Sequence, residues 1–171
     1  MKKLVSSFKL ETIKKGTFLL KSGKNCNQLI FVQSGFLRMF IEDEGKEVTQ
    51  WISTKGYFST DLSSFIFQTP SRWNNQALVD SNVYTISKQD YDTINDFVPK
   101  WIAIEKLFLV RCFSILEDRI YTHLSMTAVE RYTLFFEQNR ELFNQVPLQY
   151  LASMLGMSSE TLSRIRKKQL L

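Results

Sequence analysis

The residues best suited to chemistry lie near the C-terminus of the chain, after Val146. Arginine and lysine side chains follow Glu160 there with no further acid, so this stretch favours an anionic partner such as DNA. The side chains expected on the outer side of this stretch are Ser158, Ser159, Glu160, Ser163, Arg164, Lys167 and Lys168.

Two short helices joined by a tight turn are needed to position these side chains. Gly156 lies four residues after Ala152, where a chain that leaves a helix often takes a left-handed conformation. Ser158 is placed to cap the second helix. The spacing predicts a helix-turn-helix over residues 146–168, although part of it also occurs in ordinary helical hairpins. The apolar positions of the pair are Leu151, Ala152, Leu155, Met157, Leu162 and Ile165.

The bulk composition narrows the class of protein. The 171 residues are 44% apolar and 23% charged with a net charge of +5, as expected for a globular protein of one or two domains. No apolar run approaches the roughly 20 residues that cross a bilayer. Polar residues also interrupt the N-terminal stretch where a signal peptide would have its core. We therefore expect a cytoplasmic protein without a membrane partner.

The sequence gives little indication of a catalytic site or a metal-binding site. Cys26 and Cys112 belong to no metal-spaced pair, and His123 is the single histidine. We therefore expect two free thiols, no metal ligands, and neither haem nor an iron–sulfur cluster. The chain lacks a Gly-rich phosphate loop and a G-x-S-x-G turn, and a cupin-type enzyme would need clustered histidines. We expect no catalytic residues and no enzyme activity.

The first hundred residues indicate short strands separated by turn residues, a spacing that predicts an antiparallel β-barrel or jelly roll. The predicted strands span residues 17–20, 28–33, 36–42, 46–53, 74–80 and 83–86. In the predicted strand 36–42, large apolar residues occur at both the even-numbered and the odd-numbered positions. Because these positions point to opposite faces, we expect both faces of the strand to be covered. A break at residues 61–67 predicts one or two helical turns, and Ser87 is placed to cap a short helix that runs to Asn95.

A single long helix is predicted from Pro99 to about Leu124, and its apolar residues form two stripes at roughly 100° per residue. Because a helix that covers one core needs only one stripe, the second indicates contact with another subunit, with burial inside one monomer as the alternative. The first stripe, to which we assign the dimer contact, is Trp101, Ile104, Phe108, Arg111 and Ile115. The other stripe is Ile102, Leu109, Phe113, Leu116 and Ile120.

After this helix, Thr127 and Glu130 form a capping box that opens another helix. A barrel, a long two-sided helix and a C-terminal helix-turn-helix in this order resemble one family, the Crp/Fnr superfamily of transcription regulators. The superfamily is named for the cyclic-AMP receptor protein and the fumarate-nitrate regulator. The residues that carry the resemblance are Gly35, the run Glu130-Arg131-Tyr132, Leu151-Ala152 with Gly156, and the run from Glu160 to Arg164.

The resemblance implies an α+β fold in three parts. These are an antiparallel jelly-roll domain of the cyclic-nucleotide-binding type over residues 1–97, a dimerisation helix over residues 98–125 and a helix-turn-helix domain over residues 126–171. It implies a homodimeric regulator that binds a palindromic operator in double-stranded DNA, with RNA polymerase as a further candidate partner. Many relatives continue into a two-stranded wing. Because this sequence ends at Leu171, we expect the wing to be absent or truncated.

The resemblance also assigns roles to the outer residues. Ser159, Glu160 and Arg164 occupy the base-reading positions, and the chemistry agrees because arginine can bind guanine through two hydrogen bonds. Relatives often carry arginine where Ser159 stands, so we do not expect the family's best-known half-site. Phosphate contacts would come from Gln149, Arg166, Lys167 and Lys168, and the DNA-binding set is completed by Ser158, Thr161 and Ser163.

The sensor half departs from relatives that bind cyclic nucleotides, which hold the ribose with a Gly-Glu pair and the phosphate with an Arg-Ser/Thr-Ala run. Asp61 stands in for the glutamate. Counting back from Ala77 puts Ser71 in the place of the arginine, so Arg72 could serve only with a shifted register. Because a buried phosphate without a matched cation is costly, we do not expect cyclic AMP as the effector. The effector-pocket candidates are Tyr57, Asp61, Ser71, Arg72, Trp73 and Asn74. The alternative function is a small-molecule or protein-binding module with no DNA role.

Overall fold

The computed structural model describes residues 2–169. Its elements follow in the order α1 (Lys2–Ser6), β1 (Lys9–Ile13), β2 (Phe18–Leu20), β3 (Gln28–Ser34), β4 (Leu37–Asp43), β5 (Lys46–Ser53), α2 (Leu62–Phe67), β6 (Asn74–Ala77), β7 (Ser81–Ser87) and α3 (Lys88–Asp92). After a 3₁₀ turn (Ile94–Asp96) come α4 (Trp101–Ser125), α5 (Ala128–Gln138), α6 (Leu142–Gln145), α7 (Leu148–Met154) and α8 (Ser159–Gln169). Within residues 2–169, every helix is too short or too polar to cross a membrane.

The chain forms two compact units, one that ends at Ile102 and one that begins at Ala103. The first unit holds all the strands of the described residues, and the second holds α5 to α8 and most of α4. The domain limits predicted at residues 97 and 125 remain predictions.

The strands form two antiparallel sheets, with the orders β1-β7-β3 and β2-β6-β4-β5. Side chains from both sheets meet in one buried cluster, in which Ile30 and Val83 from the first sheet join Leu37 and Ala77 from the second. These aliphatic residues remove apolar surface from water, which is the main force that holds two such sheets together. The antiparallel sheets expected for the N-terminal domain are therefore confirmed.

A second buried cluster joins α2 and α3 to the first sheet. Phe65 of α2 meets the ring of Tyr91 edge-on at 5.1 Å, and Leu29 and Ile86 lie in the same cluster. The cap predicted for α3 is present, since the Ser87 hydroxyl accepts the backbone N–H of Asp90 at 3.0 Å. The two helices thereby cover apolar positions of β3 and β7.

The strand β4 is buried on both faces, as its sequence predicts. Arg38, the second residue of the strand, is fully buried between apolar neighbours. Its Nε donates to the Thr49 hydroxyl at 2.9 Å, its Nη1 donates to Glu47 Oε2 at 2.7 Å, and its guanidinium lies 4.1 Å from the centre of the Phe40 ring. A buried charge is tolerated when it is paired and hydrogen-bonded in this way.

Among the strands, β1 and β6 differ from the sequence prediction for simple physical reasons. The sequence does not predict β1, because four of its five residues are exposed and its partner strand β7 is remote in the chain. The predicted strand 74–80 ends at Ala77, because the Leu78 N–H turns to the carbonyl of Phe36 and Asp80 forms an ion pair with Lys14.

The second unit has a small apolar core of its own. The predicted capping box opens α5, since the Thr127 hydroxyl accepts the Glu130 N–H and the Glu130 carboxylate accepts the Thr127 N–H. The Tyr132 ring stacks on Phe136 with centroids 5.5 Å apart and meets Phe143 edge-on at 5.5 Å. The helix α8 packs on α7 and on α5.

Gly35, in the turn between β3 and β4, lies close to the backbone of Ser81 in β7. Its φ is +92°, and a Cβ at this position would lie 2.2 Å from the Ser81 hydroxyl oxygen and 2.7 Å from Ser81 Cα. The Ser81 hydroxyl also accepts the N–H of Phe36 at 3.2 Å, which holds it in place. Only glycine fits this position without displacement of the β7 backbone.

Replacement of Gly35 by alanine is expected to lower the free energy of unfolding by about 3 kcal/mol or more, because left-handed strain and a steric clash add together. Gly45→Ala is the matched control: its φ is +77° with nothing within 4 Å, so strain alone should cost about 1–2 kcal/mol. Urea denaturation at one protomer concentration measures both losses. Equal losses in the two variants would contradict the close approach to Ser81.

Candidate functional site

The turn between α7 and α8 has the geometry that the sequence predicts. Gly156 has a φ of +66°. The backbone N–H groups of Gly156 and Met157 donate to the carbonyls of Ser153 and Ala152 at 3.1 and 3.0 Å. These two bonds make a Schellman motif, which ends a helix and redirects the chain.

The start of α8 is capped by Ser158, whose hydroxyl accepts the Thr161 N–H at 3.2 Å. The backbone N–H of Glu160 and the Ser158 hydroxyl lower the pKa of the Glu160 carboxyl, so this group is charged near neutral pH. An acid in the first turn and bases in the last turn both interact favourably with the helix dipole.

The helix α8 separates a buried side from a polar side. Leu162 and Ile165 are buried, whereas Glu160, Arg164 and Lys167 are exposed on the opposite side of the helix. Of the other DNA-binding candidates, the exposed ones are Gln149, Ser158, Ser159 and Lys168, and the half-buried ones are Thr161, Ser163 and Arg166. The result is a basic helix surface in water with a single acid at its start.

The helix α4 exposes one apolar stripe more than the other. The stripe that the sequence analysis did not assign to the dimer contact is 44% to 66% exposed at each of its residues, which are Ile102, Leu109, Phe113, Leu116 and Ile120. The stripe assigned to the dimer contact is more buried: Trp101, Phe108 and Ile115 are half-buried, while Ile104 and Arg111 are exposed. Trp101 meets the Tyr91 ring edge-on at 5.6 Å, so it is already packed within the first unit.

Four of the effector-pocket candidates are bonded to one another. Asp61 caps α2 by accepting the Ser64 N–H at 3.2 Å, and its other carboxylate oxygen accepts the Ser71 hydroxyl at 2.7 Å. The Ser71 hydroxyl accepts the Trp73 N–H at 2.9 Å, and the exposed Arg72 guanidinium lies 4.9 Å from the centre of the Trp73 ring. The polar groups of Asp61 and Ser71 are therefore already hydrogen-bonded within the protein.

The remaining two candidates have other partners. The Tyr57 ring lies against Trp51 with centroids 5.9 Å apart. The Asn74 side-chain oxygen accepts the backbone N–H of Ser22 at 3.1 Å. The structure therefore brings Asp61, Ser71, Arg72 and Trp73 together, and leaves Tyr57 and Asn74 outside this bonded group.

A cavity of about 300 Å³ lies elsewhere in the first unit. Lys9, Glu11, Ser59 and Asn75 are among its lining residues, and none of the six effector-pocket candidates lines it. The Asn75 amide donates to both oxygens of Ser59 at 3.1 Å, while its buried Oδ1 accepts no hydrogen bond from the described residues. The cavity is thus lined by polar and apolar groups in about equal measure.

Asn75 is not among the site residues predicted from the sequence. A polar residue that points inward from a strand is a signal of a polar site. The run Asn74-Asn75-Gln76 contains no apolar residue, however, so its alternation does not reveal which side chain points inward. The pairing of Asn75 with Met39 across the sheet supplies that information.

A family profile described as the cyclic nucleotide-binding domain matches residues 10–95, which are 86 of the 171 residues. The chain belongs to this family. Comparison with curated proteins gave no significant match.

Solved structures share the fold of this cyclic nucleotide-binding domain protein over most of the chain. FixK2 from Bradyrhizobium japonicum has a TM-score of 0.75 at 16% identity, and the match covers 94% of this chain and 83% of that one. A protein from Eubacterium rectale assigned to the crp/fnr family of transcriptional regulators has a TM-score of 0.71 at 21% identity, over 99% and 82% of the two chains. A variant of CooA from Carboxydothermus hydrogenoformans has a TM-score of 0.67 at 20% identity, over 96% and 77%. The predicted resemblance to Crp/Fnr regulators is confirmed, and at these identities it shows the fold.

Membership of the cyclic nucleotide-binding domain family implies an anionic ligand, and the residues at the corresponding positions do not fit one. Ser71, which takes the place of the phosphate-binding arginine by the count back from Ala77, is buried and carries no charge. Its hydroxyl is bonded to the carboxylate of Asp61, which would repel a phosphate. Arg72 is exposed and lies over Trp73. A cyclic phosphate here would face an acid without a buried cation.

Proposed function

We propose that this protein is a homodimeric, sequence-specific DNA-binding transcription regulator, without catalytic activity, whose N-terminal domain responds to an effector other than a cyclic nucleotide. The observation that carries the proposal is the polar side of α8, which is exposed, basic and capped at its start. In this proposal α7 and α8 form a helix-turn-helix and α8 is the recognition helix.

The exposed side of α8 suits the major groove, which admits one α-helix. Glu160 and Arg164 lie four residues apart and therefore on one side of the helix, where Arg164 can bind guanine and Glu160 can accept from cytosine. Ser159, beside them at the helix start, is the third base-reading candidate. Gln149, Arg166, Lys167 and Lys168 would contact phosphates and fix the register of the protein on the duplex.

The exposed stripe of α4 supports the dimer, and we move the proposed contact from the stripe of Trp101 to this one. Leu109, Phe113, Leu116 and Ile120 follow one another at intervals of four, three and four residues, which is the spacing of a coiled-coil seam. Large apolar side chains in a continuous exposed stripe are typical of an interaction surface. A second copy of α4 supplies a matching stripe by symmetry.

Selection of bound sequences from a random duplex pool tests the proposed function. We expect an inverted repeat with half-sites about one helical turn, roughly 34 Å, apart, and binding that weakens steeply as salt concentration rises. A ligand- or protein-binding module with no DNA role would enrich no motif and would show weak, salt-independent retention. That result would reject the proposed DNA-binding function.

Replacement of Arg164 by alanine is expected to cost roughly 1–3 kcal/mol of binding free energy at the matched base pair and to relax the preference there. Lys168→Ala is the matched comparison, because loss of a phosphate contact should weaken all duplexes alike and reduce the salt slope by about one. Titration of labelled duplexes with single base changes measures both effects. A uniform loss in the Arg164 variant would show that Arg164 contacts only phosphate.

Replacement of Phe113 by glutamate is expected to weaken the dimer by about 100-fold or more, because a charge would be buried in an apolar seam. Phe67→Glu is the matched control: it makes the same change at a residue of α2 that is also highly exposed. Sedimentation velocity over a range of concentrations measures the association of both variants. Dissociation in the Phe67 variant alone would place the contact elsewhere.

A further inference from the structure

The carbonyl groups at the end of α7 are bonded to arginines from two other helices of the same unit. The last carbonyls of a helix lack partners within it. Arg119 of α4 donates from Nη2 to the carbonyl of Met154 at 3.2 Å. Arg131 of α5 donates from Nε to the carbonyl of Leu155 at 2.9 Å and from Nη2 to that of Gly156 at 3.3 Å.

Arg131 also reaches back to the segment between α4 and α5. Its Nη1 donates to the carbonyl of Met126 at 2.6 Å, one residue past the end of α4. One guanidinium therefore joins that junction to the turn before α8. The His123 ring lies against the same turn. A Cβ atom added to Gly156 would be only 3.2 Å from His123 Cδ2.

The chemistry of these contacts favours a fixed orientation. A guanidinium is planar and presents five donors at set angles, so several carbonyls bonded to it are held in a defined arrangement. Burial lowers the pKa of Arg119, and a hydrogen bond from a partly desolvated cation is stronger than one in water. The turn that starts α8 is thereby tied to both α4 and α5.

We propose that Arg119 and Arg131 are positioning residues that fix the direction of α8 relative to α4 and thereby determine which half-site spacing the dimer accepts. This inference rests on the proposed function of α8 and α4. Each base pair added between two half-sites rotates one against the other by about 35°. A recognition helix held by these bonds cannot follow that rotation, whereas a loosely held helix can.

The first experiment measures orientation without DNA. Spin labels are placed at Lys106→Cys on α4 and Lys168→Cys on α8, in a Cys112→Ser background, and labelled protein is diluted with unlabelled protein so that distances within one chain are recorded. We expect a narrow distribution in the parent and about a twofold broader one in Arg119→Met and Arg131→Met, whose side chains keep the apolar stem but lose the donors. Arg140→Met is the control, since Arg140 lies over Phe136 and bonds to no carbonyl of the turn.

The second experiment measures half-site spacing on the selected operator. Wild type and the Arg140 variant are expected to lose at least about tenfold in affinity when one or two base pairs are inserted between the half-sites. In the Arg119 and Arg131 variants this ratio should fall to about threefold or less, with an unchanged salt slope because no phosphate contact is lost. A simple loss of stability would weaken binding to every spacing equally and leave the ratio unchanged.

The outcomes separate this inference from the proposed function. If the wild type selects no sequence, the DNA-binding function is rejected. The spin-label distances then decide by themselves whether Arg119 and Arg131 fix the direction of α8. Unchanged distances in both arginine variants overturn the inference, as do broader distances with an unchanged spacing ratio. If the Arg131→Met variant does not fold, Arg131→Lys replaces it, because lysine keeps the charge and loses the planar fork.

Discussion

The stripe of large apolar residues that α4 leaves in water is the constraint on which the proposed assembly depends. A fully buried leucine, isoleucine or phenylalanine side chain contributes about 1.5–3 kcal/mol relative to an exposed one, so a second helix laid along this stripe recovers a large free energy. Phe113, near the middle of α4, is more than half exposed. Because α4 is also the helix from which Arg119 reaches the end of α7, the surface proposed to join two copies and the contact proposed to orient α8 belong to one helix.

Features set by near neighbours in the chain could be predicted from the sequence. The capping box of Thr127, the Ser158 cap and the left-handed Gly156 each depend on residues within five positions, and all three are present. Features set by distant partners could not be predicted. β1 is defined by its pairing with β7, and Arg38 is buried because Glu47 and Thr49 of the next strand accept its hydrogen bonds. Periodicity likewise reveals two stripes on α4 but not which of them the rest of the protomer leaves exposed.

The N-terminal domain has the fold of its family, and one of its loops is held by hydrogen bonds to Asp61. In this loop both oxygens of Asp61 accept hydrogen bonds from the protein, one from the Ser64 backbone and one from the Ser71 hydroxyl. Fold and ligand chemistry are separable here because the sheets depend on aliphatic packing, whereas recognition of a cyclic phosphate depends on one correctly placed cation. The cavity around Asn75 is lined by residues of both sheets, among them Ile30 and Thr85 of the first and Asn75 of the second.

The edges of the two sheets have a consequence for how copies of this chain meet. An open edge strand is a template for uncontrolled pairing between molecules. β1 and β5 carry exposed charges on their edges, including Lys9, Glu11 and Lys46, and β2 is only three residues long and irregular in register. The edge of β3 is covered by residues 56–59, which exchange backbone hydrogen bonds with Ile30 and Val32. Edge-to-edge aggregation through the sheets is therefore disfavoured, which is compatible with the proposed self-association through the apolar side of a helix.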